Sequence, residues 1–385
     1  VNRPGERHPD WGRGGVTFPD PLLIPTSPLS SRRRFLATAA AGAGALPFAA
    51  SALGQSIPSD VAGDGRSSVT VGPRRPITAG PVKPARLRQG DTVGIVSPAG
   101  ATFAESALAA TEREIRRLGF QTKRGEHALD QYGYLGGTDI NRAADVMTMF
   151  RDPEVKAILA LRGGWGCARL LPYLDYEIIR QNPKIVCGFS DITGLLNPLY
   201  AKTGLVSFHG PVASSTWNDF TTSHFRRTVE WGEQVVMQPA YGTAVETLVP
   251  GVARGRLVGG NLSVFAALVG SGYFPDTTGH LLFLEEVSEE PYRIDRMMTQ
   301  LKLAGVLDRI RGVVFGNCRN CDASGGDVSL SLRNVLMDHL AAYRIPVFYG
   351  TMIGHITDKF TVPIGVEAEM DASSGTIRLL ESAVA

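Results

Sequence analysis

Along residues 91–190, short apolar runs alternate with stretches whose apolar positions recur every three or four residues. "DTVGIVSPAG" (91–100) is an apolar run closed by Ser97-Pro98-Ala99-Gly100, which predicts a strand leading into a turn. "AESALAATEREIRRLGF" places Leu108, Ile115 and Leu118 at helical spacing and stops at Gly119. "TDINRAADVMTMFRDPEV" predicts a second helix, capped by Thr138 or Asp139. "KAILALRGG" reads as a buried strand, "CARLLPYLDYEIIRQ" as helical, and "KIVCGFS" as a strand again. Strands alternating with helices imply parallel βαβ units, and ligands in such sheets bind beyond the carboxyl ends of the strands. Those ends are Ser97-Pro98, Arg162-Gly163-Gly164 and Gly188-Phe189-Ser190, so three loops are expected to converge on one edge.

From about 216 to 250 the pattern weakens to a helix and a connecting segment. A second block then mixes helices with strands and ends in short alternating runs that look antiparallel, "KFTVPIGVEAEMDASSGTIRLLE". The expectation is an α/β chain with an N-terminal parallel-sheet domain over 86–240 and a second α/β domain over 250–385.

The beginning of the sequence reads differently. "SRRRFLATAAAGAGALPFAASALGQS" runs from consecutive arginines through an uncharged Ala/Gly stretch to the small residues Ala50-Ser51-Ala52, the order of a cleavable export signal. Ser31-Arg32-Arg33-Arg34-Phe35-Leu36 resembles a twin-arginine signal, which predicts a periplasmic or otherwise exported protein with no stable membrane span after cleavage. Residues 1–53 are therefore expected to be an extension plus signal peptide, and Gly/Pro/Ser-rich 54–85 a flexible linker. The formal charge of +2 hides a net +3 in residues 1–37; the remainder, at about neutrality, gives no basic field for nucleic acid. Four cysteines do not make a disulfide scaffold. Cys318-Arg319-Asn320-Cys321 lacks the second pair or nearby His of a zinc site, leaving a local disulfide or two thiols. No metal or cofactor is expected.

Ser190 carries the sharpest chemical question. A strand ending in Gly188-Phe189-Ser190, followed at once by a helix from Asp191, is the setting of a nucleophile elbow, with the Asp191 N–H as an oxyanion donor. It is equally the setting of a serine N-cap, and the spacing is not G-x-S-x-G, because Gly194 comes one residue late. The adjacent Gly163 and Gly164 suit a second oxyanion donor or, without the usual glycine-lysine signature, a weak phosphate cradle. His209 and His355 lie in loops beyond apolar runs and are better candidate bases than helical His339. Glu285 or Glu286, at the end of "LLFLEE", could orient the imidazole. Chemistry alone leaves these alternatives open.

The ordered set "GIVSPAG", "GGTDINRAADV", "AILALRGGWGCARLL", "CGFSDIT", "SFHGPV", "GRLVGGNLSVF", "LLFLEEVSEEPYRIDRMM" and "GHITDKFTVPIG" resembles the LD-carboxypeptidase family of serine peptidases, over about Gly90 to Leu380. That family includes murein tetrapeptide carboxypeptidases and microcin C immunity peptidases. The resemblance implies a flavodoxin- or Rossmann-like first domain, with the active site between the two domains. It further implies a triad of Ser190, Glu285 and His355, with oxyanion donors on Asp191 and Gly164. Trp165 stands where Tyr is commonest, at the pocket, and Glu286 where Asp is more usual. The implied substrate is a small peptide such as a muropeptide, cleaved at an L–D amide bond, and the implied assembly is a homodimer. A carboxypeptidase also needs a partner for the substrate's free carboxylate, for which Arg162, Arg169 and Arg293 are candidates by position.

Overall fold

The computed structural model describes residues 80–240, 245–323 and 328–385. The expected signal peptide, and the expected linker up to residue 79, lie outside the described residues. Residues 80–85 do not trail free: Val82 bridges Leu205, Lys83 pairs with Glu381 at 2.8 Å, and Ala385 donates its N–H to the Pro84 carbonyl.

The first sheet grows from the alternation seen in the sequence. Its elements are β1 (Thr92–Val96), α1 (Glu105–Arg117), β2 (Gln121–Arg124), α2 (Asp139–Arg151), β3 (Val155–Ala160), α3 (Tyr176–Gln181), β4 (Ile185–Gly188), α4 (Thr193–Thr203) and β5 (Ser207–His209). Strand order is β5-β4-β3-β1-β2, all parallel. Leu108 and Ile115 point α1 into the core, and Thr138 caps α2 by accepting from the Asn141 N–H. The segment 167–181, read as one helical stretch, is broken. A 3₁₀ turn over Cys167–Tyr173 contains Pro172, and Asp175 then starts α3 by accepting from Glu177 and Ile178 N–H. Strand β2 escaped the sequence reading because "QTKR" carries no apolar alternation; it is an edge strand with little to bury.

After α5 (Asp219–Val229) come β6 (Val236–Met237), β7 (Glu246–Val249), β8 (Val252–Asn261), α6 (Leu262–Ala267), β9 (Leu281–Val287), α7 (Pro291–Leu303), β10 (Gly312–Arg319), α8 (Leu332–Leu340), β11 (Val347–Thr351), β12 (Val362–Ile364), β13 (Glu367–Asp371) and β14 (Thr376–Leu379). They build a second sheet of order β6-β14-β13-β8-β9-β10-β11-β7, with β8 to β11 parallel and the flanking pairs antiparallel. One strand leaves it: β12 pairs antiparallel with β5 and completes the first sheet. The architecture is thus mixed α/β, a parallel sheet in the N-terminal region beside a second sheet. Cys318 and Cys321 are joined as a disulfide at the end of β10, where Cys318 stands opposite Glu286 of β9.

Candidate active site

The three loops do meet. The Gly100 N–H donates to the Gly163 carbonyl, and a Cβ on Gly163 would stand 3.1 Å from the Ser190 Oγ, so the glycine loop lies directly against the serine. Gly164 has φ +131, and a Cβ there would meet the Gly100 backbone at 2.8 Å; only glycine fits. Among the described residues, the Gly164 N–H donates to no protein acceptor, which leaves it available beside Ser190.

Ser190 itself has φ +62, a left-handed backbone that costs a non-glycine residue energy and recurs at reactive turns. It also heads a short 3₁₀ turn (Ser190–Ile192) running into α4, and its side chain caps nothing there. The elbow reading therefore has more support than the N-cap reading. Asp191 adds what the sequence did not show. Its carboxylate is buried and accepts from the Cys167 N–H at 2.8 Å, tying the serine turn to the far side of the glycine loop. Burial pushes its pKa up, against the opposing effect of that hydrogen bond. Beneath the Pro98 loop and the glycine loop lies Arg142 of α2, fully buried, donating to the carbonyls of Pro98 and Gly166 and paired with Asp139. A single guanidinium, with its fixed fork of donors, holds two of the three loops.

The second sheet contributes the remaining chemistry. Glu285 stands at the end of β9 with no exposure, and its Oε2 accepts from His355 Nδ1 at 2.7 Å. Burial works to raise its pKa, but His355, that hydrogen bond, His209 and Asn261 outweigh it and hold the carboxylate below its ordinary value. With Nδ1 donating to Glu285, Nε2 is the basic nitrogen. The imidazole packs edge-on against Phe189, centroids 4.9 Å apart, which brings it beside the residue preceding Ser190. Among the described residues, no hydrogen bond joins Ser190 to the ring in this state; such bonds often tighten only once substrate is bound.

The other candidates sort themselves by contact. Glu286 faces away from the imidazole and accepts from Asn261 Nδ2 and from the Ser263 N–H and hydroxyl, so it fastens α6 to β9. Burial pushes its pKa up. His209 is buried between Phe189 and Phe283 with neither ring nitrogen hydrogen-bonded, and burial lowers its pKa to about 4. A base that refuses protons and bonds to no carboxylate is poorly placed to relay one. His339 bonds Asp295 of α7 at 2.6 Å. Trp165 lies at the surface, edge-on to Tyr134 at 6.2 Å. Among the described residues no group of three or more His, Cys, Asp or Glu could hold a metal, and no helix is long and apolar enough to cross a membrane.

A serine on a strained strand-to-helix turn, an unbonded loop N–H near it and a carboxylate-held imidazole next door are side chains and donors of the kinds that hydrolases use. Comparison with known proteins fits this class. The family described as "LD-carboxypeptidase N-terminal domain" matches residues 93–210, and "LD-carboxypeptidase C-terminal domain" matches residues 254–370. The chain belongs to the LD-carboxypeptidase family. It is 39% identical over 299 residues to the probable murein peptide carboxypeptidase of Bacillus subtilis, covering 76% of this chain and 93% of that one. It is 30% identical over 298 residues to the murein tetrapeptide carboxypeptidase of Pseudomonas aeruginosa, covering 73% of this chain and 93% of the relative. Among solved structures, the microcin C7 self immunity protein MccF in its wild-type apo state superposes with a TM-score of 0.71 at 28% identity, covering 79% of this chain and all of that one.

Proposed function

We propose that this peptidase is a serine carboxypeptidase that hydrolyses an L–D amide bond, releasing C-terminal D-Ala from murein tetrapeptides. One observation carries the reading: the 2.7 Å bond between Glu285 and His355, delivered from the second sheet to the edge where the first sheet presents Ser190. His355 Nε2 takes the Ser190 proton as Oγ bonds to the scissile carbonyl carbon, and the carbonyl oxygen becomes an oxyanion facing the Asp191 and Gly164 N–H groups. Collapse breaks the C–N bond; His355 returns the proton to the leaving amine and the D-residue departs. Water then attacks the ester, again through His355, and frees Ser190. Glu285 keeps the imidazole in the productive tautomer and stabilises its charged form. In the same reading, the chain is exported by its twin-arginine signal, meets muropeptides outside the cytoplasm, and works as a homodimer.

The test is incubation of the protein with a murein tetrapeptide, following free D-Ala by mass spectrometry, beside the Ser190→Ala variant. Release by the wild type alone is expected. Equal release by both proteins would remove Ser190 from the mechanism. A folded wild type that binds the peptide without cleaving it would point to a non-catalytic muropeptide-binding protein.

A second reading, a peptidase that detoxifies a microcin C-like peptidyl-nucleotide, draws on the likeness to MccF and on Trp165, 61% exposed at the rim of the glycine loop, where its face could stack on a base. Cleavage of an aminoacyl-nucleotide conjugate with the tetrapeptide left intact would favour it.

A further inference from the structure

The arginines nominated for the substrate's carboxylate are largely engaged elsewhere. Arg169 forks onto Asp139 through bonds of 2.9 to 3.0 Å. Arg293 bonds the Tyr292 hydroxyl at 3.1 Å and Glu289 at 3.5 Å. Arg162 donates to the Ala101 carbonyl at 3.1 Å.

Lys359, which the sequence reading passed over, is differently placed. It follows His355 by four residues and is only 6% exposed. Its backbone N–H is pinned by the Thr221 hydroxyl at 3.2 Å, and its Nζ sits over the Phe189 ring, 4.6 Å from the centroid. Among the described residues the ammonium makes no hydrogen bond and no ion pair; burial lowers its pKa to about 8, against the favourable charges of Glu285 and Asp358. An ammonium on a side chain this enclosed, with three donors and no protein acceptor, is well suited to meet an incoming anion.

Its position says which anion. In a C-terminal residue, the free carboxylate is separated from the scissile nitrogen by one Cα, so it lies within a few ångströms of the group that protonates the leaving amine. Lys359 and His355 both contact the same ring, that of the residue before Ser190. We propose that Lys359 receives the free α-carboxylate of the substrate's C-terminal residue and so makes the enzyme an exopeptidase. The cation–π seat on Phe189 holds the ammonium at the leaving-group side between turnovers. This inference rests on the carboxypeptidase reading above.

The test compares a murein tetrapeptide bearing a free C-terminus with the same peptide as its C-terminal amide. Wild-type kcat/KM is expected to favour the acid by about 100-fold, the scale of a desolvated charge pair. In Lys359→Met that ratio should collapse towards one, through KM for the acid, and Lys359→Arg should restore part of it. Binding to the Ser190→Ala protein, measured by calorimetry, should show the same preference without turnover. A wild type indifferent to amidation overturns the proposal without any variant. A Lys359→Met enzyme that keeps the full ratio, however slow, overturns it too, because then the lysine supports the fold and not the carboxylate. In either case cleavage of the L–D amide bond survives as the reaction, since hydrolysis is still seen. Failure of the wild type to bind or cleave either peptide would sink both.

Discussion

His355 Nδ1 lies 2.7 Å from Glu285 Oε2, a bond that spans seventy residues of sequence and joins strand β9 to the loop that follows β11. The carboxylate is wholly buried, yet the imidazole beside it keeps its pKa below the ordinary range, so it is charged wherever the enzyme is folded at neutral pH. Glu285→Gln keeps the shape and removes the charge. We expect kcat to fall by about 10³–10⁴ with KM little changed and the fold retained, as measured by steady-state hydrolysis alongside circular dichroism. A loss under tenfold would mean that His355 does not depend on this carboxylate.

Gly164 should tolerate nothing larger. Alanine there meets the Gly100 backbone at 2.8 Å and must adopt φ near +131. Gly164→Ala is expected to cost about 1–3 kcal/mol in a urea melt and about 10²-fold in kcat, because the displaced N–H no longer faces the oxyanion. Full activity in a destabilised protein would assign the oxyanion donor elsewhere.

Asp191→Ala removes the acceptor of the buried Cys167 N–H and frees the glycine loop from the serine turn. The expected result is about 1–3 kcal/mol lower stability together with reduced kcat, while Asp191→Asn, which still offers an oxygen, should recover most of both. If the alanine variant is as active and stable as the wild type, the tie has no role in positioning.

His209 sets an acid limit. Folded, it is neutral down to about pH 4; unfolded, it takes a proton near its ordinary value of 6.5. Above pH 6.5 neither form is charged and no stability is lost. As the pH falls from 6.5 to 4 the unfolded chain gains protons that the folded chain refuses, and stability drops by roughly 3 kcal/mol from this residue. His209→Leu should flatten that part of the curve in urea melts at pH 7 and pH 4.5. Parallel curves for the two proteins would show that His209 is not the source.

What the sequence shows best is what depends on neighbours in the chain. The run into Gly188, the acid after Ser190 and the double glycine are all local, and each stands where the alternation of strands and helices put it. The choice among His209, His355, Glu285 and Glu286 was not local. All four sit at the ends of apolar runs, and only the packing of two sheets decides which imidazole meets which carboxylate. Resemblance to a family pointed to Glu285 and His355 where chemistry alone could not. Nothing in the sequence singles out Arg142 or Lys359, because burial of a charged side chain leaves no trace in periodicity. The destination of β12 was hidden for the same reason: three residues of an apolar run say nothing about which sheet they will join.

That strand has a consequence for how the catalytic parts stay in step. Between Thr351, the end of β11 in one sheet, and Val362, the start of β12 in the other, the chain crosses from one half of the enzyme to the other, and His355 rides on the crossing. His355 therefore belongs to neither half. A cut in the connection before β7 would yield an N-terminal fragment that has Ser190 but lacks both the edge strand β12 that closes its sheet and the imidazole of His355. The stretch of chain that closes the first sheet is also the one that brings His355 to Glu285.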